Sequence, residues 1–397
     1  KAATASAQAS ERLGVRGPGE RLCLALRLSR HSWDIPLYQS PWDVPGSPQL
    51  PLLAREIFDD LGLIAYFEIR PATFANFIRE VSAGYDQDLP FHNFHHCVAV
   101  LQGCYAMLRQ SEELASTFTP VDRLALCVAA LGHDLGHTGT SNAFLVNSRD
   151  ELALLYNDVA VLENHHLASL FRLLQRPDCS ILACLDELQF KEARKSIIGA
   201  VLATDMAKHF NHLGRLKSRL EARQAGTPFS ASDPLDRQML LEVTLHAADL
   251  SGPVRPWEVS SVWAAKVSEE FDRQLAEESR LSLPISTFMQ APKPQLELNF
   301  IEFVVLPLWR TVAQVFPTFE DRVQTMLSNH ERWVQLKKSH RAQPFEQAIQ
   351  PQRPSSTDSL SSPSAVEAER RSSASASTSA PLSSTEHTEP AQGRYPH

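Results

Sequence analysis

Apolar residues recur every three to four positions through most of the chain, from about residue 50 to residue 345. This is the period of an amphipathic α-helix, which turns the same face to the core once per turn. The segments 121–131, 162–173, 241–248 and 300–308 show the period most clearly. The alternation of apolar and polar residues that would indicate strands is not evident. The pattern therefore predicts one compact, all-α, multi-helix domain over residues 50–345.

The two ends of the chain depart from this pattern. Residues 1–49 have no clear period and carry prolines at 36, 41, 45 and 48, which predicts an irregular, extended lead-in. Residues 346–397 are rich in serine and proline and nearly lack large apolar side chains. Such a segment buries too little apolar surface to offset its loss of conformational entropy, so we predict a disordered tail. Because the chain starts at Lys1 rather than at methionine, we expect it to be a piece of a longer protein.

Composition and charge narrow the function classes. The chain has 397 residues, of which 43% are apolar and 21% are charged, as in ordinary globular proteins. Its net charge of −8 argues against nucleic acid as a partner, because nucleic-acid binders usually present a basic face. No apolar run approaches the roughly 18 residues of a membrane helix, so we expect no membrane segment in this chain. The six cysteines are scattered without a CxxC pair, which favours reduced thiols and a cytoplasmic location.

Histidines gather in three short segments, 92–96, 133–137 and 163–166, and another histidine lies shortly before Asp249. A single histidine is more often a satisfied polar group than a ligand, but imidazoles grouped with carboxylates suit a borderline metal such as zinc. A carboxylate also bridges to a second, harder ion. A two-metal site of this kind holds a bridging hydroxide and suits attack on phosphorus.

The adjacent pair His133 and Asp134 places a condition on such a site. Neighbouring residues on a helix point about 100° apart, so both reach one metal only near a helix end or in a groove. Gly136 and Gly139 predict a helix end close by.

The segment 133–144 reads His-Asp-Leu-x-His-x-Gly-x-x-Asn-x-Phe and resembles the signature of the class I cyclic nucleotide phosphodiesterases. Other segments are similar to further blocks of that family, in the same order: 92–96, 156–158, 162–166, 202–206, 249–251 and 300–307. The resemblance covers about residues 50–340. It implies the helical HD-superfamily phosphodiesterase domain, which hydrolyses a 3′,5′-cyclic nucleotide to the 5′-monophosphate. The Phe-His-Asn-Phe sequence at 91–94 and Val-Arg-Pro at 254–256 look most like the high-affinity cGMP-specific type.

The resemblance implies two divalent metal ions. The ligands of the first, tightly bound ion, zinc, would be His96, His133, Asp134 and Asp249. Asp134 would also bridge to a second ion, magnesium or manganese, that otherwise keeps its waters. Three more residues would orient those waters: His137, Glu163 and Thr204.

The resemblance also assigns the remaining roles. His92 would be the general acid that protonates the leaving ribose O3′ while the bridging hydroxide attacks phosphorus. Its spacing to His96 predicts that both side chains share one face of a helix. Glu270 would orient His92, although an exposed helix carboxylate is the alternative. Phe300 and Val267 would form the two walls of the base slot.

Three residues depart from the family pattern: Thr138 replaces a proline, Gly252 an asparagine, and Glu297 the glutamine that would hydrogen-bond the purine. Gln295 lies two residues off the helical register and does not replace that glutamine. A carboxylate only accepts hydrogen bonds, and guanine offers two adjacent donors at N1 and N2, whereas adenine offers one donor beside an acceptor. We therefore predict that cGMP is preferred over cAMP. A Glu297 protonated by burial would give dual specificity instead, and a Glu297 facing solvent would leave the base to other groups.

Two other functions stay open on the sequence alone. The domain could bind cyclic nucleotide without effective cleavage, as a regulatory module, or act as a different HD-type phosphohydrolase on nucleotides or alarmones. The complete ligand set and His92 argue against the first, and the blocks outside the His-Asp pair argue against the second. An upstream regulatory domain and a homodimer are both compatible with the resemblance.

Overall fold

The computed structural model describes residues 33, 35, 37 and 49–342. The predicted tail and most of the predicted lead-in lie outside these residues. None of the described residues lies in a strand, which confirms the predicted all-α class. The α-helices in chain order are α1 (Gln49–Asp60), α2 (Leu63–Tyr66), α3 (Pro71–Ala83), α4 (Phe94–Gln110), α5 (Glu112–Thr117), α6 (Pro120–Gly132), α7 (Asn142–Ser148), α8 (Glu151–Tyr156), α9 (Val161–Leu174), α10 (Glu187–Leu202), α11 (His209–Gln224), α12 (Pro234–Asp249), α13 (Trp257–Arg280), α14 (Lys293–Phe300), α15 (Leu306–Val315) and α16 (Glu320–Ala342). Shorter turns of 3₁₀-helix cover Met206–Lys208, Gly252–Val254, Thr287–Gln290 and Pro317–Phe319, and Ile301–Val305 is π-helical.

Two helices that carry candidate metal ligands, α4 and α6, begin at polar caps. The side chain of Asn93 accepts hydrogen bonds from the backbone N–H groups of His95 and His96 and thereby starts α4. α6 begins with a capping box between Thr119 and Asp122, in which each side chain accepts from the backbone of the other. These caps satisfy amide groups that a helix leaves without partners at its start, so they fix where each helix begins.

The centre of the domain is formed by the largely buried helices α4, α6 and α12, against which α10 packs with one face. Gly103 allows α4 and α12 to approach closely, since a Cβ atom at this position would lie only 3.2 Å from Cβ of Ala248. Ala248 directly precedes Asp249, the last residue of α12. The glycine therefore brings the end of α12 against the flank of α4.

A buried arginine secures the turn that follows α12. Arg255 is 1% exposed, and its guanidinium donates to the side-chain oxygen of Gln102 at 3.1 Å and to the carbonyl oxygen of Ala99 at 3.0 Å. The side-chain amide of Asn329 donates to the carbonyl oxygen of Arg255 at 2.7 Å. The turn is thus tied to both α4 and α16. The described part of the lead-in lies close by, with buried Trp33 packed edge-on against Trp309.

The helical path continues from α14 through the π-helical turn into α15. Pro307 lies in the first turn of α15 and has no N–H to donate to the carbonyl of Phe303 one α-helical turn earlier, which favours the wider turn there. The whole stretch Lys293–Val315 is long and apolar enough to cross a membrane by length and composition. Half of its most apolar window is buried inside the domain, as expected of a core helix.

Candidate active site

The four predicted metal ligands lie at the ends of three helices. His96 is in the first turn of α4, and Asp249 is the last residue of α12. His133 caps the end of α6, and Asp134 follows it. Because α4 packs against both α6 and α12, these helix ends meet at one place.

The ligand atoms are spaced as a divalent ion requires. Nε2 of His96 lies 3.3 Å from Nε2 of His133 and 3.0 Å from Oδ1 of Asp249. Oδ2 of Asp134 lies 3.1 Å from Nε2 of His133 and 3.4 Å from Nε2 of His96. With metal–ligand bonds of about 2.1 Å, neighbouring ligand atoms stand about 3.0 Å apart in an octahedral sphere and about 3.4 Å apart in a tetrahedral one. The donor set therefore fits a metal ion at its centre.

The tautomer of His133 is suited to metal binding. Its Nδ1 donates to the carbonyl oxygen of Ala130 at 2.9 Å, so the Nε2 lone pair of the neutral ring faces the other ligands. Burial favours the neutral forms of Asp134 and Asp249, but the imidazoles beside them outweigh it and hold the pKa of both carboxyl groups well below its usual range. The same carboxylates raise the pKa of His133 well above its ordinary value despite its burial. A divalent cation would replace the protons that otherwise balance this charge, so metal binding should release protons.

Asp134 presents its two oxygens to two different neighbours. While Oδ2 faces His96 and His133, Oδ1 lies 3.7 Å from Nε2 of His166. Nδ1 of His166 donates to the carbonyl oxygen of Leu135 at 3.0 Å, and burial lowers its pKa to about 4, so this ring is neutral at physiological pH. A second ion on the Oδ1 side would have a carboxylate oxygen and a neutral imidazole nearby.

His166 is a site residue that the sequence analysis missed. The signal was present in the segment Glu-Asn-His-His, since the second histidine of that pair shares the segment with Glu163. The pattern did not show which of the two rings turns inward. In the structure His166 is 1% exposed.

The three residues expected to orient water surround this centre differently. Nδ1 of His137 accepts the backbone N–H of Gly139 at 2.9 Å. Glu163 is buried and accepts from the side-chain amide of Asn142 at 3.0 Å, and burial raises its pKa to about 7. Thr204 is buried just beyond α10, and its hydroxyl donates to the carbonyl oxygen of Val201 at 2.8 Å. Among the described residues, no hydrogen bond joins Thr204 directly to the four ligands.

His92 does not lie on α4, so the expectation that it shares a helix face with His96 is wrong. The helix starts at the cap residue Asn93, and His92 belongs to the turn before it. That turn is held by Glu270 of α13, whose Oε2 accepts the backbone N–H groups of Phe91 and His92, each at 3.1 Å. The rings of His92 and His96 are nevertheless close, with centroids 5.7 Å apart.

The Glu270 carboxylate also forms a short contact through Oε1 with Nδ1 of His92. Glu270 is only 3% exposed, so the alternative of an exposed helix carboxylate is wrong. Burial alone would lower the pKa of His92, but Glu270 outweighs burial and raises it. In turn, His92 outweighs the burial of Glu270 and lowers its pKa to about 2. The carboxylate therefore favours the protonated form of the His92 imidazole, which stacks on His137 with centroids 3.9 Å apart.

The residues expected at the base lie on two packed helices. Val267 is on α13, one turn before Glu270, and α13 packs against α14, which carries Glu297 and Phe300. Val267 and Phe300 are both partly exposed, whereas Glu297 is 7% exposed, so a Glu297 facing solvent is ruled out. Burial raises the pKa of Glu297 to about 7, although Lys293 opposes the shift. Gln295 is occupied elsewhere, because its amide donates to the side-chain oxygen of Asn299 at 2.6 Å.

Comparison with known proteins gives a consistent family. The family model of the 3′5′-cyclic nucleotide phosphodiesterases matches residues 91–326. The chain is 35% identical over 288 residues to the high affinity cGMP-specific 3′,5′-cyclic phosphodiesterase 9A of Homo sapiens, covering 72% of this chain and 47% of that protein. It is 36% identical over 329 residues to isoform F of the 3′,5′-cyclic-AMP phosphodiesterase of Drosophila melanogaster, covering 81% and 49%. The chain thus spans about half the length of these curated relatives.

A solved structure is similar along most of the chain. The phosphodiesterase domain of the RhoPDE fusion protein from the choanoflagellate Salpingoeca rosetta superimposes with a TM-score of 0.74 at 34% sequence identity. The match covers 84% of this chain and all of that domain.

Proposed function

The chain belongs to the 3′,5′-cyclic nucleotide phosphodiesterase family, and on that basis we propose that it hydrolyses a 3′,5′-cyclic nucleotide to the 5′-nucleoside monophosphate in a metal-dependent reaction. The observation that carries the proposal is the set of four ligands with contacts of 3.0–3.5 Å beside the His92–Glu270 pair. A site that only bound the nucleotide would have no use for an imidazole held in this place by a buried carboxylate.

Two divalent ions fit the residues present. The closed set of two imidazoles and two carboxylates suits zinc at the tight site. The Oδ1 side of Asp134 offers fewer protein ligands, which suits magnesium or manganese, since these ions keep several waters. When bound, such ions neutralise the phosphoryl oxygens and lower the pKa of the attacking water.

The protein itself contributes a proton donor, the imidazole of His92, at a fixed position. The P–O3′ bond breaks as water adds to phosphorus, and the departing O3′ needs a proton. Because Nδ1 of His92 faces Glu270, the proton available for transfer is the one on Nε2. Glu270 stabilises the imidazolium before transfer. The side chain of His92 is 24% exposed, so it can regain a proton from solvent afterwards.

We propose further that the base is read by Glu297 and that cGMP is the preferred nucleotide. An ionised Glu297 accepts from N1–H and N2–H₂ of guanine, while its lone pairs would face the N1 lone pair of adenine. With a pKa of about 7, the carboxyl group is partly protonated near neutrality and then resembles the glutamine of the family. The preference should therefore be moderate rather than absolute at pH 7.

A cytoplasmic location is proposed from the thiols. The described cysteines are all free, and four of them are buried: Cys97, Cys104, Cys127 and Cys179. Free thiols in these positions suit a reducing compartment.

Turnover by the purified chain tests the proposed function. The protein is stripped of metal, reconstituted with zinc and magnesium, and assayed on cGMP and cAMP side by side. We expect hydrolysis to require metal and kcat/KM to be higher for cGMP. The absence of metal-dependent hydrolysis of both nucleotides would contradict the phosphodiesterase assignment, and a higher value for cAMP would contradict the base assignment alone.

A further inference from the structure

A buried polar network lies further along the same face of the helix that carries Glu270. Gln274 and Glu278 follow Glu270 by one and two turns of α13 and are 3% and 2% exposed. Neither residue has a part in the chemistry described above. Because burying a polar side chain is costly, two such side chains on one helix face indicate a structural or functional role.

Glu278 holds the segment that follows α13. Its Oε2 accepts the backbone N–H of Ser286 at 2.7 Å, and its Oε1 accepts the Ser286 hydroxyl at 2.6 Å and the Gln274 amide at 2.7 Å. Among the described residues no lysine or arginine pairs with this carboxylate. Burial opposes its ionisation, but the hydrogen bonds from Ser286 and Gln274 outweigh burial and lower its pKa. A buried anion is thus held entirely by donors, most of them from one residue of the loop.

The loop of residues 281–291 leads directly into α14. Other contacts support its course: the ring of Phe288 packs edge-on against Phe271 of α13, with centroids 5.9 Å apart, and Met289 is buried. After Pro292 the chain enters α14, whose side chains Glu297 and Phe300 are assigned to the base. The position of this loop therefore sets the start of the helix that would read the nucleotide.

Gln274 connects the same network to the metal side. Its Oε1 accepts the backbone N–H of Ser141 at 2.8 Å, and its Nε2 donates to the Ser141 hydroxyl at 3.1 Å. Ser141 caps α7, and the first residue of α7 is Asn142, which donates to both oxygens of Glu163. The side-chain amide of Gln274 thus links the 281–291 loop, through Glu278, to the start of α7, where Asn142 supports Glu163.

We propose that Gln274 and Glu278 are positioning residues, in which Glu278 fixes the 281–291 loop at the base end of the site and Gln274 ties this loop to the α7 turn that supports Glu163. The assignment of the two ends rests on the proposed function, but the ordering of the loop does not.

The chemistry of the network makes a sharp variant available. Every group that contacts Glu278 is a donor, so Glu278→Gln places an amide N–H₂ against either the Ser286 backbone N–H or the Gln274 amide. Gln274 cannot rotate its amide to relieve the conflict without losing its bond from the Ser141 N–H. At least one buried donor is then unsatisfied, although the side chain keeps its shape. The matched control is Glu277→Gln on the same helix, since the side chain of Glu277 is 39% exposed and, among the described residues, its carboxylate pairs only with Arg280.

Hydrogen exchange and steady-state kinetics together test the proposal. In Glu278→Gln we expect faster exchange across residues 281–291, a rise in KM of about tenfold or more, a kcat within about threefold of the parent, and unchanged metal content. Glu277→Gln should match the parent in all four measurements. Ser286→Ala removes one donor and keeps the backbone N–H, so it should show a smaller rise in KM and serves if Glu278→Gln does not fold.

The Gln274→Met variant distinguishes a specific positioning role of this network from a general destabilisation of the fold. This variant cuts the link to Ser141 as well, so kcat should fall together with the rise in KM. Unchanged exchange in the 281–291 loop of Glu278→Gln, or of Ser286→Ala in its place, would overturn the proposal whatever the activity. Equal losses of kcat in Glu278→Gln and Gln274→Met would overturn it too. If loop exchange responds as expected and no cyclic nucleotide is hydrolysed even by the parent, it is the proposed function that fails.

Discussion

At the scale of single residues, the site depends on where one proton sits. Glu270 binds Nδ1 of His92 and the backbone amides of Phe91 and His92, so ring orientation and protonation are set by one carboxylate. His92→Ala should keep both metals and lower kcat by about 10²–10⁴-fold on a natural cyclic nucleotide, because O3′ then leaves without a proton. A substrate with a good leaving group, which needs no proton, should lose much less. Parallel losses on both substrates would speak against the proton-donor role.

Glu297 gives a pH dependence with a defined sign. Burial raises its pKa to about 7, so the ionised form that suits guanine prevails above neutrality and the protonated form below it. We expect the ratio of kcat/KM for cGMP over cAMP to be largest near pH 8 and to fall as the pH drops through 7. Glu297→Gln should remove this dependence and bring the ratio nearer to one. A ratio that stays constant with pH in the parent, or is unchanged by the substitution, would show that other groups read the base.

At the scale of elements, the distance between the candidate metal ligands depends on how closely the helices that carry them pack. Gly103 permits the contact between α4 and α12, and a Cβ there would meet Cβ of Ala248 at 3.2 Å. Gly103→Ala should push apart the helices that carry His96 and Asp249 and so weaken metal binding. The Cβ atoms at positions 103 and 248 are both fixed by the backbone of their helices, so neither can rotate away from the other.

The control for this change is Gly214→Ala in α11. A Cβ at Gly214 has nothing within 4 Å, so the same substitution there should stabilise the fold by up to about 1 kcal/mol through helix propensity alone. Thermal melting and zinc content, measured for both variants, check the pair. Equal zinc content and equal melting temperatures in the Gly103→Ala and Gly214→Ala variants would show that the contact between α4 and α12 does not control metal binding.

The helices themselves were largely predictable from sequence, and their ends were not. The apolar period over residues 50–345 indicated the all-α class. It could not show that Asn93 caps α4, because asparagine is compatible with a helix interior as well as with its start, and the role of His92 as a turn residue followed from that. The inward ring of His166 and the burial of Glu270 depend on α9 and α13 docking against distant parts of the chain. No local pattern reports such docking.

The π-helical turn Ile301–Val305 is another feature that the apolar pattern of the sequence does not indicate. One extra residue in the turn rotates α15 by about 100° relative to a continuous α-helix. Buried Trp309 and Val312 of α15 can therefore face the core while Glu297 and Phe300 of α14 keep their own direction.

At the scale of the whole molecule, the candidate metal ligands come from parts of the chain that are far apart. Chelation should lower the melting temperature by several degrees, because an ion bound only by the folded protein stabilises it by mass action. Scanning calorimetry with and without chelator measures the shift. Asp249→Ala should lose the tight metal, nearly all turnover and the response to chelator while keeping its helical content. Full zinc occupancy in that variant would remove Asp249 from the ligand set.

The distance along the chain between the ligands also bears on how the protein reaches its native state. His133 and Asp134 are neighbours, but His96 and His133 are 37 residues apart, and His96 and Asp249 are 153 apart, so the complete ligand set does not form early from local structure. The sequence contains 15 histidines, several of them adjacent, and these offer an unfolded chain many quicker ways to chelate an ion. Zinc present during refolding should therefore trap wrongly ligated chains, and the order of addition matters. Refolding in chelator and supplying the metal afterwards should give the higher yield of active protein.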